Sequence, residues 1–164
     1  MLTVALRTAT RDDCHAINDI LNHYVAHTTA TFITEPQTLE ERLDWFEGRS
    51  DRHPVVVADV DGETVGWAAL SSFRVRAAYA HTAELGVYVH HDYHRRGIGR
   101  ALVAETVARG RTAGLHAVVG GCCSESTASI ALLEVSGFRR VAHFQEVGFK
   151  FGRWLDVIFL ERLL

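Results

Sequence analysis

Three arginines and two glycines crowd the run His94-Arg95-Arg96-Gly97-Ile98-Gly99-Arg100. The alternating segment before it, Thr82 to Val89, reads as a strand, and the segment after it, from Ala101, reads as a helix. A strand feeding a glycine turn that opens a helix presents backbone N–H groups, the positive end of the helix dipole and guanidinium donors to an anionic phosphate. Glycine lets the backbone approach such a ligand closely, and the dipole adds about 0.3–1 kcal/mol per charge. A Walker loop would need Gly-Lys-Ser/Thr, but Gly99 is followed by Arg100 and Ala101. A dinucleotide fingerprint would need a third glycine where Leu102 stands, and a parallel βαβ unit where a hairpin precedes the turn. Taken alone, the turn is equally compatible with an ordinary helix start whose arginines lie in solvent.

The elements that must position this turn follow from periodicity. Leu2 to Arg7 alternates as a strand, and Arg11 to Thr28 carries Cys14, Ile17, Ile20, Leu21, Tyr24 and Val25 at helical spacing. Thr29 to Pro36 is a loop with an exposed Phe32. Thr38, with Glu41 three residues on, starts a second helix whose apolar face is Leu39, Leu43 and Phe46. Pro54–Val60 and Glu63–Ser72 form a hairpin turned at Asp61-Gly62. The strand Thr82–His90 follows, then a helix from Gly97 to about Gly110, a strand His116–Gly121, and a helix Ser126–Ser136 stopped by Gly137. Phe138–Phe149 and Trp154–Leu160 close the chain as an antiparallel pair. The order β-α-α-β-β-β-α-β-α-β-β predicts an α/β (α+β) chain: one mixed, mostly antiparallel sheet flanked by helices.

With 164 residues, 48% hydrophobic and 23% charged, the chain has the size of one domain, residues 1–164, with one core. A formal net charge of −3 argues against a dedicated nucleic-acid binder, so the arginine turn is a local positive patch. No apolar run approaches the roughly 20 residues that a membrane helix needs, and Met1 to Arg7 is too short and polar for a signal peptide. Cys14, Cys122 and Cys123 form no spaced framework, and adjacent strand cysteines point to opposite faces. These features predict a reducing, cytoplasmic setting.

Beyond the turn stand several further pieces: Asn22-His23-Tyr24, the loop Thr31 to Gln37, Val60 to Glu63, and Tyr79 with Thr82-Ala83-Glu84. Val87-Tyr88-Val89 and Gly148-Phe149-Lys150 with Gly152, Trp154 and Asp156 complete the set. On these residues the chain resembles the GNAT superfamily of N-acetyltransferases, and within it the phosphinothricin and methionine sulfone/sulfoximine acetyltransferases, from about Val4 to the C-terminus. The resemblance implies the GNAT fold, acetyl-coenzyme A as acetyl donor, a small-molecule primary amine as acceptor and a homodimer. Trp154–Leu160 is the segment expected to help build that interface.

The resemblance also implies roles. An amine that is cationic near neutral pH must lose a proton before it attacks a thioester. Glu84, alone among apolar neighbours, matches the family's catalytic glutamate; read without the resemblance, it is a solvent-facing or arginine-paired strand carboxylate. Val87, Tyr88 and Val89 match the segment whose backbone pairs with the pantetheine arm. Arg95, Arg96, Gly97, Ile98, Gly99 and Arg100 match the pyrophosphate turn, with His94 at a position the family fills with Gln or Arg. Its neutral imidazole has one N–H to donate to phosphate. Ser126 stands where relatives place an asparagine on the cofactor arm, and it is equally suited to capping the next helix. No tyrosine on that helix answers to the family's usual acid, since Leu132 and Leu133 occupy it.

Arg74, Arg76 and Tyr79 match a substrate-side loop, where paired guanidiniums suit an amino-acid carboxylate. Phe32 and Lys150 are expected in the same pocket. Phe151 and Leu155 replace family histidines and are expected to make it less polar. His90, His91 and His94 fit no common metal spacing, adjacent strand histidines point apart, and no metal is expected. Two other readings remain: a protein N-terminal or lysine acetyltransferase, and a coenzyme-A-binding sensor without turnover.

Overall fold

A computed structural model describes residues 3–164. Its seven strands are β1 (Val4–Thr8), β2 (Val55–Val60), β3 (Glu63–Ser72), β4 (Thr82–Val89), β5 (Ala117–Cys123), β6 (Arg139–Lys150) and β7 (Arg153–Leu163). Its helices are α1 (Cys14–His27), α2 (Leu39–Glu47), α3 (Ile98–Thr112) and α4 (Thr127–Val135). The sheet order is β1-β2-β3-β4-β5-β7-β6. Every pairing is antiparallel except β4 with β5. The expected element order is therefore the observed one. Leu2, expected to open the first strand, lies outside the described residues.

Two apolar clusters sandwich the sheet. One joins Ile98, Leu102, Val103 and Val107 of α3 to Val56, Leu70 and Leu85, and includes Ile130 and Leu133 of α4. The other joins Ile17, Ile20, Leu21 and Val25 of α1 to Val57, Trp67 and Ala69. Alternation along β2 and β3 sends successive side chains to opposite clusters.

Several boundaries move for identifiable reasons. Arg11–Asp13 is a separate 3₁₀ turn ahead of α1. α3 runs past Gly110, because this glycine is close-packed interior: a Cβ there would lie 2.6 Å from Leu70 Cδ1. β7 extends to Leu163, where it pairs with Ala117 of β5. Thr38 and Glu41 form the expected capping box at α2, with Glu41 N donating to Thr38 Oγ1 at 3.2 Å and Thr38 N to the Glu41 carboxylate at 2.7 Å. The inward face of α2 differs from the expected one. Leu39 is exposed, and the buried position is Arg42.

The apolar run Trp154–Leu160 also divides differently. Leu155, Ile158 and Leu160 are buried, so that strand chiefly builds core. Among the exposed apolar side chains, Val141, Phe144, Val147 and Phe149 are on β6, with Phe151 and Trp154 just beyond it.

Candidate active site

The parallel pairing of β4 with β5 covers only Thr82–Glu84 against Ala117–Val119. Beyond Glu84 the two strands part, and two clefts open along the gap. The first, about 500 Å³, is lined by Glu84, Phe32, Arg42, Trp45, Trp67 and Ser71 among others. The second, about 540 Å³, is lined by Val87, Tyr88, Val89, Ser126 and the residues of the glycine turn. Leu85, Gly86, Tyr88, Ala30 and Gly121 border both. The clefts therefore meet beside the glutamate.

Burial raises the Glu84 carboxyl above the ordinary glutamate value, and the Arg74 charge partly offsets this. Gly121 keeps the space near the carboxylate open: a Cβ there would stand 3.6 Å from Glu84 Oε1. Glu84 pairs with Ser71 across the strands, so both belong to the cleft floor. A half-buried carboxylate with raised proton affinity is suited to general-base work near neutral pH.

In the second cleft, Gly97 caps α3 in a left-handed conformation, φ 80° and ψ −4°, and a Cβ there would meet nothing within 4 Å. This bare backbone at a helix N-terminus fits a pyrophosphate. His94, Arg95, Gly97, Ile98, Gly99 and Arg100 all border the cleft, Ile98 with its side chain in the core. Arg95 is also left-handed at φ 61°. Arg96 is outside that lining, with its guanidinium 5.0 Å over the ring of Tyr93, which borders the cleft.

His94 is engaged inward. Its Nε2 lies 3.0 Å from Val89 O and 2.8 Å from Tyr24 Oη, and Tyr24 itself donates to Val89 O at 2.6 Å. A carbonyl only accepts, so this network assigns the proton to Nε2. That N–H serves Val89 O, while the ring still borders the cleft.

Ser126 occupies the N-cap position of α4 but makes no side-chain cap bond, and its residue borders the cleft. Ser126→Ala should therefore leave stability within about 0.5 kcal/mol of wild type in thermal unfolding. A drop of 1 kcal/mol or more would restore the capping role.

The substrate-side residues are more dispersed. Arg74, Arg76 and Tyr79 lie on the exposed connection after β3, outside the residues lining the first cleft. Arg74 lies 4.3 Å over the Phe73 ring and donates to Phe73 O at 2.8 Å, and Tyr79 packs edge-on against Phe73 at 5.6 Å. Of these three, Arg74 is the one whose charge reaches Glu84.

Phe32 does line the cleft, and its ring lies against Gly148, where a Cβ would come within 2.1 Å of it. Lys150 does not line it. Its Nζ donates to Thr28 O and Thr31 O, each at 2.8 Å, clamping the loop that carries Phe32. Gly148→Ala should displace Phe32 and raise KM for the amine several-fold, with at most a small change in acetyl-CoA affinity. Steady-state kinetics with each substrate varied would check this; an unchanged amine KM would exclude Phe32 as a wall.

Phe151 is exposed at the β6–β7 turn and Leu155 is core, so neither sets the polarity of the cleft. The expectation that His90 and His91 point apart also fails. Residues 91–93 leave the strand as a 3₁₀ turn, and the two rings stack at 4.3 Å. Cys122 and Cys123 are buried free thiols, and burial pushes Cys122 up to about 11.

Arg42, Trp45 and Trp67 escape a reading by motif. The available signal was the i, i+3 spacing of Arg42 and Trp45, which puts a cation and an indole on one helix face.

The acetyltransferase (GNAT) family model matches residues 17–138. The L-methionine sulfoximine/L-methionine sulfone acetyltransferase of Salmonella typhimurium is 36% identical over 159 residues, covering 96% of this chain and 93% of its own length. The crystal structure of a phosphinothricin acetyltransferase from Sinorhizobium meliloti in complex with AcCoA superposes with a TM-score of 0.92 at 34% identity, over 99% of this chain and 89% of that one. A ribosomal-protein-alanine N-acetyltransferase from Brucella melitensis gives a TM-score of 0.95 at 38% identity, over 98% and 99% of the two chains.

Proposed function

This chain belongs to the acetyltransferase (GNAT) family and is an acetyl-CoA-dependent N-acetyltransferase, and we propose that Glu84 is its general base toward a small amino-acid-like primary amine. Methionine sulfone, methionine sulfoximine and phosphinothricin exemplify that acceptor class. The observation that carries the reading is the meeting of the two clefts beside a half-buried carboxylate.

Val87, Tyr88 and Val89 border the cofactor cleft where β4 has lost its partner strand on the β5 side, and the strand edge opened there suits the pantetheine arm, with Val89 O already taken by Tyr24. Gly97 to Arg100 hold the pyrophosphate on backbone N–H groups, and Arg95 and Arg100 add positive charge. Bound there, acetyl-CoA supplies the thioester carbonyl carbon that the amine attacks. Glu84 takes the proton from the ammonium, freeing the nitrogen lone pair to form the amide bond. The C–S bond breaks, and the second proton lost by the attacking nitrogen balances the one gained by the departing sulfur as coenzyme A leaves. The Ser126 hydroxyl, unused as a cap at the edge of this cleft, is available to the cofactor arm.

Free amino-acid analogues should react with kcat/KM at least about tenfold above an alanine-terminated peptide, consistent with a cleft walled by Phe32. Thiol release measured with both acceptor types tests this. A preference for the peptide would favour the second reading, protein N-terminal acetylation, which the name of the Brucella relative supports. Tight coenzyme A binding without turnover on any amine would point to a sensor.

The β6 face completes the proposal. Phe149 and Trp154, paired across β6 and β7 with ring centroids 4.9 Å apart, form an exposed apolar pair suited to a second copy of the chain. Light scattering should give twice the 18.2 kDa chain mass, and Trp154→Asp should shift it toward the monomer. A monomeric wild type at micromolar concentration would remove the dimer. Among the described residues no helix is long and apolar enough to cross a membrane, and the three free cysteines suit a reducing, cytoplasmic setting.

A further inference from the structure

We infer that Arg42 reads the far end of the acceptor, hydrogen-bonding an oxygen-rich group at the tip of its side chain; this rests on the amino-acid-like acceptor proposed above. Arg42 is 3% exposed and lines the same cleft as Glu84. Its guanidinium lies 4.4 Å from the Trp45 ring centroid and 5.8 Å from that of Trp67. Among the described residues its sole hydrogen-bond partner is Gln37 Oε1, which takes Nη2, and its buried Nε has none. A guanidinium offers five N–H donors, and a buried cation is ordinarily paired. Here no carboxylate among the described residues pairs with it.

The surroundings deepen the deficit of negative charge. Arg49 also lies 4.4 Å over Trp45, and its hydrogen-bond partners are the carbonyls of His53 and Leu70. Burial lowers the proton affinity of both arginines. The carboxylate next along α2, Glu41, is engaged by Thr38 in the capping box. Two guanidiniums thus flank one cleft wall with only carbonyl or amide oxygens beside them. An incoming oxyanion or sulfonyl oxygen would supply the missing acceptor.

Register tells which end of the substrate this is. Ser71 faces Glu84 and Trp67 faces Tyr88 across β3 and β4. The two rows are four residues apart on one face, about 13 Å at the rise of a strand. The α-amine and α-carboxylate of an amino acid are separated by one carbon, so both belong at the Glu84 end. A group reaching the Trp67 end is the side-chain terminus: the sulfone, sulfoximine or phosphinate.

L-methionine sulfone and L-methionine differ only by the two sulfonyl oxygens, and they form the test pair. Wild-type enzyme should acetylate the sulfone with kcat/KM at least about tenfold above methionine, as expected for a site built around a donor. Arg42→Lys and Arg42→Met, each checked for folding by thermal unfolding, should bring that ratio to within about threefold of unity. Tryptophan fluorescence provides a second readout in the wild-type protein, since Trp45 and Trp67 border the guanidinium. The sulfone should perturb it at lower concentration than methionine. A merely structural arginine would lower both rates and leave their ratio intact, and that result overturns the assignment. Equal wild-type use of both amino acids overturns the Arg42 role while the acceptor class stands. Acetylation of peptides alone overturns both.

Discussion

Glu84→Gln lowers kcat/KM for amine acetylation by about 10²–10⁴-fold at neutral pH, the range a positioned general base contributes. Glutamine keeps the size and the polar contacts of the side chain but cannot take the proton. The wild-type pH profile of kcat/KM should show an acid limb above the usual carboxylate range, because burial raises the Glu84 carboxyl. Arg74→Ala removes the charge that partly offsets this, and should move the limb to still higher pH. Glu84→Gln itself has an opposite effect on stability. A carboxyl whose folded pKa lies above its unfolded value destabilises the fold when ionised. That penalty is absent below the unfolded value of about 4.3, grows as pH rises to the folded value, and persists above it. Glu84→Gln should therefore melt higher than wild type at pH 7 and converge with it near pH 4. An activity that survives the substitution across the whole pH range would remove the base assignment.

Gly97→Val raises the dissociation constant for acetyl-CoA at least about tenfold, or roughly 1.4 kcal/mol. Two effects combine. The residue sits at φ 80°, a conformation that costs an L side chain about 1–2 kcal/mol. Its Cβ would meet no protein atom within 4 Å, so the added bulk enters the space assigned to phosphate. Gly62 separates the two effects. It has φ 87° and equally open surroundings, but lies in the β2–β3 hairpin far from either cleft. Gly62→Val should lose comparable stability and keep cofactor affinity. Calorimetric titration with coenzyme A compares them; equal losses of affinity would mean that Gly97 acts only through the fold.

Much of this architecture is written locally. Thr38 and Glu41 specify a capping box whatever surrounds them, because both partners lie within one turn. Asp61 and Gly62, both at positive φ, specify their hairpin for the same reason. The glycine turn and the strand carrying Glu84 are likewise local patterns, and the family resemblance tied them to one chemistry. Arg42 was not legible. A charged residue on an amphipathic helix is normally solvated, and its burial depends on Trp67, which arrives from a distant strand. Nor does the sequence show that His94, which borders the cofactor cleft, also contacts Tyr24, 70 residues earlier.

By itself, then, the sequence determined the order of elements and the local frames of the glycine turn and of the strand that carries Glu84, because each depends on neighbours a few residues away. The tertiary structure alone decided where β4 and β5 part, which cation is buried opposite that carboxylate, and which apolar residues stay outside the core. Those outcomes depend on contacts between segments far apart in the chain, and periodicity carries no record of them.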